Sequence, residues 1–350
     1  MKIVTVVGAR PQFIKSAPVS KAIVEAGYQE YLIHTGQHYD YGMSQIFFEE
    51  LGIPEPAINL GVGSGSHAQQ TGQMLIGIES VLIEQKPDIV FVYGDTNSTL
   101  AGALAAVKLQ FRLAHIEAGL RSYNRQMPEE HNRVLTDHCS DLLFCPTQTA
   151  VNNLAREGLQ KGIHLVGDTM YDAVLHFTKI ATQNSKILQT LRLMPKGYLL
   201  TTIHRAYNTD NPEVLKTILS AFGQVEEIIV FPIHPRTRDA VKYANLTIPP
   251  NVKMIEPVGY LDMLTLEKNA RIILTDSGGI QKEAYFFGVP CLTLRTETEW
   301  VETTQTGWNL IVGFDPKRIV NGITLHKWPN TPPVPLFGDG NASQKIISLL

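Results

Sequence analysis

Ile273-Leu-Thr-Asp-Ser277-Gly278-Gly279-Ile280-Gln281-Lys282-Glu283 reads as a buried strand that stops at Ser-Gly-Gly and restarts as a helix. Two glycines let backbone come close to a ligand. The helix that follows turns its free N–H groups and positive dipole end toward whatever occupies the turn. The stretch is therefore either an ordinary strand-to-helix turn of an α/β domain or a phosphate cradle. Glu283 lies one helical turn in, where a carboxylate can hold a sugar diol.

Outward from this stretch, short apolar runs alternate with helical patterns, the signature of parallel α/β construction. In the first half, strands are expected at 3–7, 31–35, 89–93, 113–116 and 142–145, with 163–166 closing the unit. Helices are expected at 13–26, 43–51, 71–85, 96–109 and 129–139. The pattern restarts with strands at 198–202, 227–232, 252–255, 271–275 and 291–294 and helices at 212–224, 260–269 and 280–287. The join falls between Gly167 and Lys196 and holds a helix-like stretch at 171–181. Two α/β domains follow: 1–168, joined by a final helix within 338–350 after the proline-stiffened 331–335, and 169–337. Open parallel sheets bind ligands beyond the carboxyl ends of their strands, so a cleft between facing domains would be lined by strand-end loops.

The 350 residues suffice for two ordinary cores, and 44% hydrophobic with 18% charged residues is globular composition. A net charge of −3 without a basic block argues against nucleic acid, and no apolar run has transmembrane length. Three cysteines (Cys139, Cys145, Cys291), without C-x-x-C spacing, fit a reducing compartment, and the cytoplasm is expected. Eleven histidines show no metal-ligand spacing, so no metal site is expected.

Chemistry-bearing residues follow the strands directly. Arg10 and Lys15, in Gly8-Ala-Arg-Pro-Gln-Phe-Ile-Lys15, are either solvated cations at a helix end or, as the strand-end rule favours, two cations placed to neutralise a diphosphate. Asp95, in Gly94-Asp-Thr-Asn-Ser98, is either a helix cap or a proton-transfer group. Glu117 ends a strand where Glu is a poor strand residue and a poor cap, so it is an acid–base candidate with a raised pKa. Glu129 opens a helix four residues before Arg133, on the same face; Arg133 either orients Glu129 or binds phosphate. His204-Arg205 and His234 end two strands of the second half, and His titrates near neutral pH.

The chain resembles the non-hydrolysing UDP-N-acetylglucosamine 2-epimerases over essentially its whole length. The shared motifs are Gly8-Ala-Arg-Pro11, Gly94-Asp-Thr96, His115-Ile-Glu-Ala-Gly-Leu-Arg121, Pro128-Glu-Glu130 with Asn132-Arg133, His204-Arg205, and Thr275-Asp-Ser-Gly-Gly-Ile-Gln281 with Glu283. The resemblance implies a GT-B-like pair of Rossmann-type domains with the active site between them. It also implies elimination of UDP from C1 with loss of the C2 proton, a bound 2-acetamidoglycal, and re-addition with the proton returned from the opposite face. The family's acids fall on Asp95, Glu117 and Glu129. His204 and Arg205 fall on its diphosphate or sugar contacts, and Arg10, Lys15, Ser277, Gly278 and Gly279 on its UDP positions. Glu283 matches its ribose carboxylate. No cofactor is implied, and a homodimer is. Gln37-His38 and Gln69-Gln70 match a region where parts of the family carry a second, activating site.

Departures from the pattern bear on substrate. Relatives acting on UDP-N-acetylglucosamine read G-T-R-P-E and T-E-R-P-E, where this chain has Gly8-Ala-Arg-Pro-Gln12 and Thr298-Glu-Trp-Val-Glu302. This looks more like the branch acting on UDP-2,3-diacetamido-2,3-dideoxyglucuronate in surface polysaccharide synthesis. Gln12 removes a negative charge that would repel a uronate, whereas Trp300 removes a cation. UDP-N-acetylglucosamine is the alternative substrate, and a glycosyltransferase on the same scaffold is the competing enzyme class.

Overall fold

The computed structural model describes residues 1–36 and 54–350; the helix expected at 43–51 and the Gln37-His38 segment lie outside the described residues. The chain divides into two compact units, Met1–His176 with Pro335–Leu350, and Phe177–Val334.

In the first unit the described strands are β1 (Lys2–Val7), β2 (Gln29–His34), β3 (Ile58–Asn59), β4 (Ile89–Tyr93), β5 (Arg112–Ile116), β6 (Leu142–Cys145) and β7 (Ile163–Leu165). They form one sheet in the order β3-β2-β1-β4-β5-β6-β7, with every pairing parallel. Val4, Val6, Val90 and Val92 pack against Met74, Ile78 and Leu82 of the helix His67–Gln85 and Ala101 and Ala105 of the helix Asn97–Lys108. Each such side chain taken fully from water contributes about 1.5–3 kcal/mol before chain entropy is charged against it. The second unit holds β8 (Leu199–Thr202), β9 (Ile229–Pro232), β10 (Val252–Ile255), β11 (Ile272–Thr275), β12 (Cys291–Thr293) and β13 (Asn309–Ile311), in the parallel order β10-β9-β8-β11-β12-β13. Alternation along β11 sends Ile272 and Leu274 to one face, with Leu215 and Phe222, and Ile273 to the other, with Leu266 and Ala284.

The strand order reverses between β1 and β4 in the first sheet and between β8 and β11 in the second. Those reversals are where an open α/β sheet splits to admit a ligand. Gly8–Pro11 and Gly94–Asn97 leave the first pair of strands; His204-Arg205 and Asp276–Gly279 leave the second.

The final helix, Ala342–Ser348, belongs to the first unit. Asp172 caps it across the chain, accepting from Ala342 N (3.1 Å) and from Ser343 N and Oγ (both 2.7 Å). Burial raises the Asp172 carboxyl, partly offset by those bonds. Among the described residues, no helix is long and apolar enough to cross a membrane.

Candidate functional site

In the first unit, the turn after β1 is built by Gln12. Its Oε1 accepts from Gly8 N (2.8 Å) and Ala9 N (3.0 Å), and its Nε2 donates to Tyr93 O (2.8 Å) and Thr99 Oγ1 (3.0 Å). The side chain is 2% exposed. The donation to a carbonyl requires an amide at this position, so Gln12 serves the turn with both ends. With both ends of its amide engaged by the turn, Gln12 gives no electrostatic preference for a uronate.

Arg10 and Pro11 start the helix Arg10–Glu25, with Arg10 exposed. Lys15, one turn on, forms a salt bridge to Glu117 Oε2. Glu117 is buried and follows β5 with φ +74°, in the left-handed region. Gly94 leaves β4 at φ +64°, and a Cβ there would stand 3.2 Å from Glu117 Oε2. The missing side chain makes room for the Lys15–Glu117 pair.

Asp95 does not cap the next helix; Thr96 does, accepting from Thr99 N at 3.3 Å. Asp95 Oδ2 instead accepts from Arg133 Nε (3.0 Å) and Nη2 (2.6 Å), and its carbonyl accepts from Asn132 Nδ2 at 2.9 Å. Arg133 Nη1 reaches Glu130 Oε2 at 2.7 Å. Glu130 also accepts from Ser122 N (2.9 Å) and Tyr123 N (2.8 Å). Burial alone would raise its carboxyl, but those bonds and Arg133 hold it below the usual range. Glu129 sits half-buried in the first turn of the helix Pro128–Cys139. Gln69 belongs to the cap of the helix His67–Gln85, and Gln70 accepts from Asn97 Nδ2 at 3.0 Å.

In the second unit, Asp276 organises the turn. It is fully buried and accepts from His204 N (3.0 Å), Arg205 N (3.0 Å) and Asn208 Nδ2 (3.0 Å). The His204 Nδ1 stands 3.3 Å from its other oxygen. Burial lowers the His204 pKa, outweighing the pull of Asp276, with Arg205 and Arg236 adding to the lowering; the ring is neutral at neutral pH. The His204 and His234 rings lie 5.8 Å apart, so the two strand-end histidines do meet. His234 caps the helix Pro235–Tyr243 through Arg236 N (3.2 Å).

Ser277 precedes the helix Gly278–Phe286 and makes no side-chain cap, leaving the end of that helix to its backbone. A Cβ on Gly278 would fall 2.3 Å from Glu299 Oε1, so Glu299 approaches as close as it does only because residue 278 has no side chain. Arg295 Nη1 pairs with Glu299 at 3.0 Å. Gly279 is half-buried in the first turn of the same helix. Glu283 is buried and accepts from Tyr260 Oη at 2.9 Å. Trp300 is buried with the Lys282 ammonium 3.9 Å over its ring.

Asp276 was not singled out from sequence, although an acid at the end of an apolar strand beside Ser-Gly-Gly is the same signal that marked Asp95. Burial raises all three cysteine thiols, Cys291 to about 12, which keeps them protonated and weakly reactive; Cys145 and Cys291 are buried and Cys139 is half-buried. Among the described residues, no cluster of three or more His, Cys, Asp or Glu is arranged to hold a metal.

Comparison with known proteins agrees with this layout. The family model described as UDP-N-acetylglucosamine 2-epimerase matches residues 21–350. A Methanococcus maripaludis protein named as a homolog of that enzyme is 55% identical over the whole chain and 99% of its own. The UDP-2,3-diacetamido-2,3-dideoxy-D-glucuronate 2-epimerase of Pseudomonas aeruginosa is 49% identical over the whole chain and 99% of its own. The Methanocaldococcus jannaschii UDP-GlcNAc 2-epimerase, crystallised with UDP-GlcNAc and UDP, superposes with a TM-score of 0.92 at 46% identity, covering 100% of this chain and 99% of that one. The strand-end carboxylates, the reversals in strand order and the full-length similarity lead to one conclusion: the chain belongs to the UDP-N-acetylglucosamine 2-epimerase family, a family of isomerases with two parallel-sheet α/β domains.

Proposed function

We propose that this UDP-sugar 2-epimerase inverts C2 of a UDP-2-acetamido sugar by elimination and re-addition. A carboxylate takes the C2 proton as the C1–O bond breaks, UDP leaves, and the 2-acetamidoglycal stays bound. UDP oxygen then re-forms the C1 bond while a second acid returns a proton to the other face of C2. Inversion needs acid–base groups on two faces. The observation that carries this reading is a pair of neighbouring strand-end carboxylates, Glu117 and Asp95, each held by its own cation, Lys15 and Arg133. Glu129 is the third candidate acid. Leaving-group charge grows on the diphosphate, which suits the helix start at Ser277–Gly279 with Arg10, Arg205, His204 and His234. Glu283 is assigned to the ribose. The reaction is redox-neutral and is written without a cofactor.

The preferred substrate is UDP-2,3-diacetamido-2,3-dideoxyglucuronate, supported by the Thr298–Glu302 departures and the Pseudomonas relative. UDP-N-acetylglucosamine is the second reading, supported by the nearly equal similarity to the Methanocaldococcus enzyme. The protein acts as a cytoplasmic homodimer in this reading, which sedimentation tests. Incubation with each UDP-sugar in heavy water tests the reaction. Deuterium at C2 of the recovered UDP-sugar supports it, whereas a glycosyltransferase leaves C2 hydrogen in place. No deuterium with either sugar refutes it.

A further inference from the structure

A buried imidazole stands behind the proposed acids. His115 is fully buried near the end of β5, two residues before Glu117. Its Nε2 lies 2.8 Å from Gly94 O, and its Nδ1 lies 2.6 Å from Asp137 Oδ1. A carbonyl only accepts. Asp137 also accepts from Arg121 Nη1 (2.7 Å) and Gly119 N (3.1 Å), so it too faces the ring as an acceptor. Both ring nitrogens therefore donate. Burial alone would raise the Asp137 carboxyl; contact with His115 and then Arg121 outweighs it and holds the group below the usual range. Arg121 is itself clamped by Glu157 through two bonds of 2.7 Å.

The partners of this ring are the segments that carry the candidate acids. Gly94 precedes Asp95. Asp137 closes the helix that begins with Glu129 and carries Arg133. Gly119 closes the turn that holds Glu117 in its left-handed conformation, a geometry that surroundings must impose on a residue with a side chain. Glu117 N and Ala118 N both donate to Phe144 O at 3.1 Å, which fixes the turn on one side and leaves the other side to this network.

We propose that His115 is a positioning residue for the proton transfer at C2: its ring, donating from both nitrogens, ties the Glu117 turn, the Gly94–Asp95 turn and the Glu129 helix into one frame. This rests on the reading of Glu117 and Asp95 as proton-transfer groups. The ring touches no substrate in this scheme; it sets where the carboxylates stand. Misplacing such a group by about 1 Å can cost on the order of 100-fold in rate.

The test uses the full chain. His115→Gln carries both its donors on one nitrogen and so cannot span Asp137 Oδ1 and Gly94 O together, which breaks the frame while keeping bulk. The expected result is a fall in kcat for deuterium incorporation at C2 of about 30-fold or more. The kcat is taken per UDP-binding site counted by calorimetry, which discounts any loss of folded protein, and KM and the affinity for UDP should stay within about threefold. A kcat per folded molecule within threefold of wild type overturns the proposal. If His115→Gln does not fold, Asp137→Asn and Asp137→Ser replace it. The amide can still bridge to the ring and the hydroxymethyl cannot, so the Asn variant should exceed the Ser variant in kcat by roughly tenfold; equal values overturn the proposal. Glu117→Gln is measured alongside. If it abolishes exchange while His115→Gln keeps full kcat, the positioning role alone fails. If Glu117→Gln keeps exchange, the reading of Glu117 fails and the positioning role with it.

Discussion

Gly94→Ala adds one methyl group beside the Glu117 carboxylate, in the turn that leads into Asp95. Gly94 has φ +64°, which costs an L-residue with a side chain about 1–2 kcal/mol. The new Cβ would stand 3.2 Å from Glu117 Oε2 and 3.8 Å from Lys15 Nζ. The first distance is tighter than ordinary contact, so the carboxylate must give by a few tenths of an ångström. If about 1 Å of misplacement costs on the order of 100-fold, a shift of that size costs roughly tenfold. Differential scanning calorimetry should show a fall in Tm of about 2–8 °C, since each kcal/mol moves a unit of this size by roughly 2–4 °C. Deuterium incorporation at C2 in heavy water should fall about tenfold, with UDP affinity unchanged. The reasoning fails if the variant melts lower yet exchanges C2 hydrogen within twofold of wild type, because Glu117 would then tolerate displacement.

Gln12→Glu should destabilise by about 1–3 kcal/mol in urea unfolding, since a carboxylate oxygen would face Tyr93 O, and it should leave the preference between the two UDP-sugars unchanged; a switch in preference would restore Gln12 as a substrate contact. Arg10→Ala should weaken UDP binding about tenfold by calorimetry, the loss of one charge-assisted diphosphate contact; equal affinity would remove Arg10 from the nucleotide site. His34 is buried and its pKa is pushed down to about 4, below the roughly 6.5 of an unfolded chain. The unfolded state therefore binds the extra proton between those values. The contribution is full above about pH 6.5 and is lost as pH falls toward 4, by about 3 kcal/mol at most. His34→Gln should flatten that part of the stability–pH curve, and parallel curves for the two proteins would refute the assignment.

The sheets were legible because fully buried parallel strands are continuous apolar runs, and their ends announced the site. The edge strands β3 and β13 were not, because two or three residues such as Ile58-Asn59 carry no periodicity. The helix Pro235–Tyr243 was missed for a related reason: it buries only Thr237 and Val241, too few for an apolar stripe. The helix Pro316–Thr324 did carry a readable start, the Asp315 cap before proline. Within the candidate site, sequence named residues to inspect and not their partners. Lys15 was expected at a diphosphate and lies on Glu117; Arg133 was expected with Glu129 or phosphate and holds Asp95 and Glu130. Side-chain pairing across strands depends on which strand ends the sheet order brings together, and the β1–β4 adjacency skips two strands of sequence. The His115–Asp137–Arg121 group was invisible for the same reason, spread over a strand, a helix and a loop.

Asp172 and the helix Ala342–Ser348 have a consequence for biosynthesis. Residues 177–334 form a contiguous unit, whereas the unit translated first is completed only when residues 335–350, made last, dock on it and give Asp172 its donors. A chain cut before residue 335 should therefore leave the Asp172 carboxylate without those donors and the amino-terminal unit more open to protease than the full chain.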